Sequence, residues 1–233
     1  MLAGKFLVIG TGKYGATIAR KLSEKGAEVI VFDCIEEKIE ALKDDVAMAV
    51  TMDATDFKTL QSQNITEVDA AVVAIGENFE AVILTTVHLM ELGVKRIIAR
   101  ASGPQQIKIL EKLGVEEILT PEDEVAFVVA ERLINPSVVS FLQLPDNYEI
   151  AEIKAPKAII NRTIEDIDLR NKYQLTLVTI KRAFEVNKKG ENIIEQHVLG
   201  VPNSGSIIQE SDTLVVFGTA KDVARFIEIN VSL

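Results

Sequence analysis

Residues 6–33 read Phe6-Leu-Val-Ile-Gly-Thr-Gly-Lys-Tyr-Gly-Ala-Thr-Ile-Ala-Arg-Lys-Leu-Ser-Glu-Lys-Gly-Ala-Glu-Val-Ile-Val-Phe-Asp33. A short apolar run ends in glycines. Helical spacing follows, with Tyr14, Ile18, Ala19 and Leu22 on one face and Gly26 as the stop. A second apolar run, Val29 to Phe32, closes on Asp33. In a strand–turn–helix–strand unit of this kind each glycine has a job. Gly10 permits the tight turn, Gly12 lets a pyrophosphate approach the backbone, and Gly15 allows close helix–strand contact. The helix amino terminus supplies free N–H groups and roughly half a positive charge. Asp33, at the end of the second run, is placed to accept hydrogen bonds from both ribose hydroxyls and would repel a 2′-phosphate, which disfavours NADP. The competing reading has the glycines shaping only a turn and Asp33 capping the next helix. With strand, turn, helix and terminal acid all in place, nucleotide binding is the stronger of the two.

Outward from this unit the alternation continues. A charged helix from Glu36 to Lys43 leads to the run Ala47–Val50, a short helix or turn covers 56–63, and Ala70–Ile75 is a fourth strand. Phe79, Val82, Ile83, Val87 and Met90 describe an amphipathic helix stopped by Gly93; Arg96–Ala99, a helix over 104–113 and Glu117–Leu119 complete the series. Strands apolar throughout, each followed by a helix, specify a parallel sheet covered on both faces. Thr120-Pro-Glu-Asp123 then opens a helix whose body, Val125–Ala130, is apolar nearly all round, so that it is either sandwiched in a large fold or buried against another subunit. Asn135-Pro136 breaks that helix, and Leu144–Asn147 reads as a turn or linker.

From Tyr148 the pattern changes. Strands are expected at Glu149–Ile153, Leu175–Ile180 and Thr213–Phe217, helices at Thr163–Tyr173 and Thr219–Ile229, and a hairpin-type turn at Asn187–Gly190. The reading is α/β: a Rossmann-like doubly wound parallel sheet over 1–120, a crossover helix and linker over 121–147, and a small α+β carboxyl-terminal lobe over 148–233.

Composition narrows the function. The chain of 233 residues is 48% apolar with a formal charge of −10, so it is globular and its surface repels phosphate backbones and anionic lipid; no nucleic acid is expected as a partner. The single cysteine, Cys34, excludes an internal disulfide, reads as an inert small residue and points to a reducing compartment. The opening residues run straight into a strand without the pattern of a secretory signal, and no apolar run approaches the ~20 residues of a membrane span. Together these describe a soluble cytosolic chain.

Several further residues fall on the carboxyl edge of the sheet. Lys13, inside the loop, either reaches a terminal phosphate or is solvated. Asp53 and Ala54 follow the third strand, where Asp53 contacts the base or caps a helix; Ile75 and Gly76 follow the fourth. Arg100 meets phosphate or a surface ion partner. Glu122 is explained by the dipole of its own helix. His88 and His197 read as structural or exposed.

The order of Gly10–Gly15, Asp33, Asp53-Ala-Thr-Asp56, Ala74-Ile-Gly76 and Thr120-Pro-Glu122 resembles that of RCK (regulator of K⁺ conductance) domains. Ile164–Arg170 and Asp212–Gly218 resemble their carboxyl-terminal lobe, so the likeness spans essentially the whole chain and is nearest to the KtrA/TrkA type. The resemblance implies a non-enzymatic gating subunit of potassium uptake. Its ligand would be ADP or ATP, or NAD(H) in some members, held at Gly10, Gly12, Lys13, Tyr14, Gly15, Asp33, Asp53, Ala54, Ile75, Gly76, Arg100 and Glu122. Glu122 would lie near the phosphates and help hold a divalent cation. Dimers sealed at the helix from Val125 would assemble into an octameric ring beneath a membrane pore subunit of the KtrB/TrkH kind. The protein would then be cytoplasmic, attached peripherally to the inner face of the membrane. Cyclic di-AMP between paired carboxyl-terminal lobes would use Ile164, Asp168, Arg170 and Pro202. Lys13 stands where the type usually has arginine, and Asn171 and the Val186–Gly200 stretch also depart from its pattern. The other reading of the glycine fingerprint is an NAD-dependent oxidoreductase, and a third is a structural oligomer with a degenerate crevice.

Overall fold

The structure, a computed structural model, describes residues 4–188 and 191–231. The chain divides into two compact units, one ending at Glu124 and the other beginning at Val125.

In the first unit, β1 (Lys5–Ile9), β2 (Glu28–Asp33), β3 (Met48–Thr51), β4 (Ala70–Val73), β5 (Ile97–Arg100) and β6 (Glu117–Leu119) form one parallel sheet in the order β3-β2-β1-β4-β5-β6. Between them run α1 (Lys13–Glu24), α2 (Glu36–Glu40), α3 (Phe57–Gln61), α4 (Phe79–Glu91) and α5 (Pro104–Leu113). The apolar runs are strands because both faces of the sheet are covered. Ile9, Phe32, Met52 and Ala54 pack with Val82 and Leu89 of α4 on one face, and Val8, Val31 and Ala74 pack with Ala16 and Ala19 of α1 on the other. The strand order reverses at β1 and β4, which opens a crevice beyond their carboxyl ends. In register, Ile9 lies beside Phe32 and Val73, so Gly10, Asp33 and Ala74 all emerge on that edge.

The helix ends follow ordinary capping chemistry. Asn78 accepts from the Ala81 N–H at 3.1 Å and Asp56 from the Lys58 N–H at 3.0 Å. The expected helix from Glu36 ends at Glu40, and Ala70–Ile75 pairs only as far as Val73.

The second unit starts within α6 (Pro121–Ile134) and continues through β7 (Val138–Gln143), β8 (Tyr148–Lys154), α7 (Ile164–Ile167), α8 (Leu169–Tyr173), β9 (Thr176–Lys188), β10 (Glu191–Val198), β11 (Asp212–Thr219) and α9 (Ala220–Val231). Its antiparallel sheet has the order β10-β9-β11-β8-β7, and its core joins Ile153, Leu214 and Val216 to Ile159, Ile167 and Phe226.

Three features differ from expectation. The helix read over 163–173 is two short helices, because Asp168 adopts a left-handed backbone (φ 51°), which a short polar side chain tolerates. Strands β7 and β10 went unread. Both are edge strands, and β10 (Glu-Asn-Ile-Ile-Glu-Gln-His-Val) lacks clean alternation. Strand β9 runs past Ile180 because the cations that follow are partnered within the sheet, Lys181 by Glu152 of β8 and Arg182 by Asp212 of the adjacent β11. Strands β9 and β10 pair antiparallel, and the expected turn at 187–190 includes Lys189 and Gly190, which lie outside the described residues. Helix α6 buries no side chain. Val125, Phe127, Val129, Leu133 and Ile134 are all exposed, Leu133 to 76%.

The Arg182 guanidinium donates to both oxygens of Asp212, at 2.7 and 2.8 Å, and to the Ile207 carbonyl at 3.0 Å. The Asp212 carboxylate is fully buried. Arg182→Ala would leave that charge unpaired, and a loss of about 3 kcal/mol is expected, read as a lower urea midpoint. An unchanged midpoint would show that the pair does not hold the 200–212 loop to the sheet.

Candidate functional site

A cavity of about 520 Å³ occupies the crevice between β1 and β4, a volume in the range of small-molecule sites. Ten of the twelve residues expected in the first unit line it: Gly10, Gly12, Lys13, Tyr14, Asp33, Asp53, Ala54, Ile75, Gly76 and Arg100. Gly15 and Glu122 do not. Gly15 sits behind the wall, and Glu122 is reached through Arg100.

Each glycine does a separate task. Gly10 has φ +89°, and a β-carbon there would stand 2.9 Å from the Ile75 nitrogen. A β-carbon on Gly15 would lie 1.9 Å from the Gly10 carbonyl oxygen, an approach no side chain permits. At Gly12 it would meet no protein atom beyond its chain neighbours within 4 Å, so the space above that residue is open. The first hydrogen bond of α1 runs from the Ala16 N–H to the Gly12 carbonyl at 2.9 Å. The N–H groups ahead of it are the unpaired donors of a helix end, with neither a side-chain cap nor an acid in the first turn to compete for them.

Asp33 is 7% exposed and already employed. Its Oδ2 accepts from the Thr11 N–H at 2.7 Å and the Thr11 hydroxyl at 3.0 Å, and its Oδ1 from the Ile35 N–H at 3.0 Å. A carboxylate has about four acceptor positions. One ribose hydroxyl can therefore be accepted at once, on Oδ1. A grip on both hydroxyls requires the Thr11 hydroxyl to turn away. Thr11, 4% exposed, is a residue that the motif reading passed over, since its position in the fingerprint is variable. Asp53 does not cap the following helix, whose N-cap is Asp56; its Oδ1 instead accepts from the Thr55 N–H and hydroxyl at 2.9 and 2.7 Å within the preceding turn, and the residue faces the cavity.

At the other end Arg100 pairs with Glu122 and stands over the Tyr14 ring at 5.8 Å. Its Nε is buried with no partner, and a β-carbon on Gly76 would lie 2.7 Å from its Nη1. Burial raises the Tyr14 phenol above its ordinary range, reinforced by Glu124, so it remains a neutral donor. Lys13, Arg100 and also Lys38, on α2, bring three cations to the cavity of a chain whose formal charge is −10. Cys34, read as inert, is exposed on the cavity wall. Lys38, Met52 and, from α4, Ala81 and Thr85 line the cavity without having been singled out in sequence. Among the described residues no group of three or more His, Cys, Asp or Glu side chains is arranged to hold a metal ion, and no helix is long and apolar enough to cross a membrane.

The second unit has its own cavity of about 390 Å³, and Ile164, Asp168, Arg170 and Pro202 all line it, with Asn203 and Ser204 beside them. Asn171 lies apart from that lining and donates to the Asp168 carboxylate at 2.7 Å.

Comparison with known proteins places the whole chain. A TrkA-N domain model matches residues 6–121, and a TrkA-C domain model matches residues 148–230. The chain is 35% identical over 222 residues to the Ktr system potassium uptake protein C of Bacillus subtilis (strain 168), covering 95% of each chain. It belongs to the Ktr family. To the Ktr system potassium uptake protein A of the same organism it is 33% identical, again over 95% of each chain. Among solved structures, the GsuK channel bound to NAD superposes with a TM-score of 0.61 at 17% identity, over 99% of this chain and 40% of that one. That likeness is one of fold, and this Ktr-family chain spans less than half of the channel.

The packing of the first turn gives a direct test. Gly15→Ala forces the Gly10 carbonyl aside, and a destabilisation above about 4 kcal/mol is expected in thermal melting. A variant that melts with the wild type would show that α1 does not press on the end of β1.

Proposed function

We propose that this chain is a nucleotide-sensing regulatory subunit that gates potassium uptake through a separate membrane pore protein. One observation carries the reading: the open space over Gly12, the unpaired N–H groups of α1 and the acceptor oxygen of Asp33 line one cavity at the switch point of the sheet. Membership of the Ktr family supplies the process.

The ligand is ADP or ATP. Its diphosphate lies over Gly10–Gly15, where Lys13 and the helix end meet the charge, and one ribose hydroxyl donates to Asp33 Oδ1. Asp53 and Ala54 sit at the base, and Gly76 and Arg100 at the far phosphate. A phosphate near Arg100 competes with Glu122 for the guanidinium, and the freed carboxylate is available to a divalent cation beside the phosphates. NAD(H) is the alternative ligand, favoured by the GsuK structure with NAD. On this reading the chain is not an enzyme. The nucleotide is a signal whose binding free energy differs between two shapes of the assembly.

The assembly is a dimer-built octameric ring, cytoplasmic and held to the inner face of the membrane by its pore partner. Uncovered apolar side chains on α6 supply the dimer seam. Phe127, 44% exposed and edge-on to Phe141 at 5.6 Å, lies on it. The cavity lined by Ile164, Asp168, Arg170 and Pro202 takes cyclic di-AMP when two such lobes pair.

Titration calorimetry tests the first claim. Saturable binding of ADP or ATP is expected, lost in Asp33→Ala at unchanged fold by circular dichroism; no heat with any adenine nucleotide would refute it. For the seam, Phe127→Glu is expected to elute from a sizing column as a smaller species than the wild type. Identical elution would remove α6 from the interface.

A further inference from the structure

Two neighbouring threonines on α4 meet opposite fates. Thr85 and Thr86 are both fully buried. The Thr86 hydroxyl donates to the Val82 carbonyl at 2.7 Å, four residues back, which is how a helix interior ordinarily satisfies this side chain. The Thr85 hydroxyl has no partner. A buried hydroxyl without a hydrogen bond is costly, and such groups call for a water or a ligand. Thr85 is also the one of the pair that lines the cavity beyond β1 and β4.

Its surroundings say what kind of ligand group it faces. Thr85 lies one helical turn after Ala81, and both line the wall contributed by α4. Ile9, Met52, Ala54 and Ile75 line the same cavity, and all but Ile75 are almost fully buried. These are apolar walls, suited to the faces of a flat ring and unsuited to phosphate. The charged groups of the cavity, the cations Lys13, Lys38 and Arg100 and the acids Asp33, Asp53 and Glu77, all lie outside α4. A hydroxyl is donor and acceptor at once, so it can meet a ring nitrogen or an exocyclic amine at the edge of a base.

We infer that the Thr85 hydroxyl hydrogen-bonds the edge of the nucleobase, making it a recognition residue for the purine of the bound nucleotide. The inference rests on the nucleotide reading of this cavity and adds to it the group that reads the base.

Two substitutions in the full chain separate the roles of Thr85. Thr85→Val keeps the shape and removes the hydroxyl; Thr85→Ser keeps the hydroxyl and removes the methyl. With ADP as the probe in calorimetry, Val is expected to weaken binding about fivefold to tenfold, and Ser to stay within about twofold of the wild type. Without nucleotide, Val is expected to melt no lower than the wild type, since it removes an unpaired polar group. A purely structural threonine would show the reverse pattern. Deaza analogues of ADP, each lacking one ring nitrogen, identify the contact: the analogue that binds the wild type weakly loses no more in Val.

If Val binds ADP as the wild type does, a buried water satisfies the hydroxyl and the inference fails. If Val and Ser lose affinity equally, the packing of the whole side chain in the cavity wall sets the affinity rather than its hydroxyl, and the inference also fails. Absence of ADP binding by the wild type would instead overturn the nucleotide reading on which it rests.

Discussion

The whole first unit turns on one close approach, that of the Gly10 carbonyl to the backbone of Gly15, where a β-carbon would intrude to 1.9 Å. Because nothing intervenes, α1 begins directly at the end of β1, with its uncapped amino terminus over the crevice. The same turn is tied from the opposite side. Asp33, at the end of β2, accepts both the N–H and the hydroxyl of Thr11. A single carboxylate thus sets the loop and keeps one acceptor position for a ligand. On the proposed reading, structure and binding would be coupled through it, since a ligand that drew on Asp33 would also act on the Thr11 loop.

A second coupling runs from the cavity to α6. Arg100 ends β5, faces the cavity and pairs with Glu122 in the first turn of that helix, with its Nε left unpartnered. Arginine presents five donors in a rigid fork and is suited to exchanging one anion for another. The body of the helix beyond Glu124 belongs to the second unit and leaves its apolar side chains uncovered. On the proposed reading, an element that begins beside the cavity through Glu122 and continues as an exposed apolar surface is physically suited to convert occupancy into a change of assembly.

Much of this was legible because the first unit obeys local rules. Apolar runs, glycine stops and the Gly10–Gly15 fingerprint specify the parallel sheet, and strand order then brings Gly10, Asp33, Asp53, Gly76 and Arg100 to one edge. What escaped the sequence depends on tertiary partners. Lys181 and Arg182 look like the end of a strand until Glu152 and Asp212 are seen beside them. Edge strands β7 and β10 bury too little to show a pattern. The role of Thr11 lies at a variable position of its motif, and that of Thr85 on a helix whose spacing reads only as core. A hydroxyl that the fold leaves unpaired has no signature in one dimension.

The most direct test of the account is a crystal structure of the full chain grown with excess ADP. The account predicts phosphate oxygens within hydrogen-bond distance of the N–H groups that open α1, and a ribose hydroxyl on Asp33 Oδ1. Nucleotide bound elsewhere, or a crevice between β1 and β4 filled by side chains at saturating ADP, would contradict it.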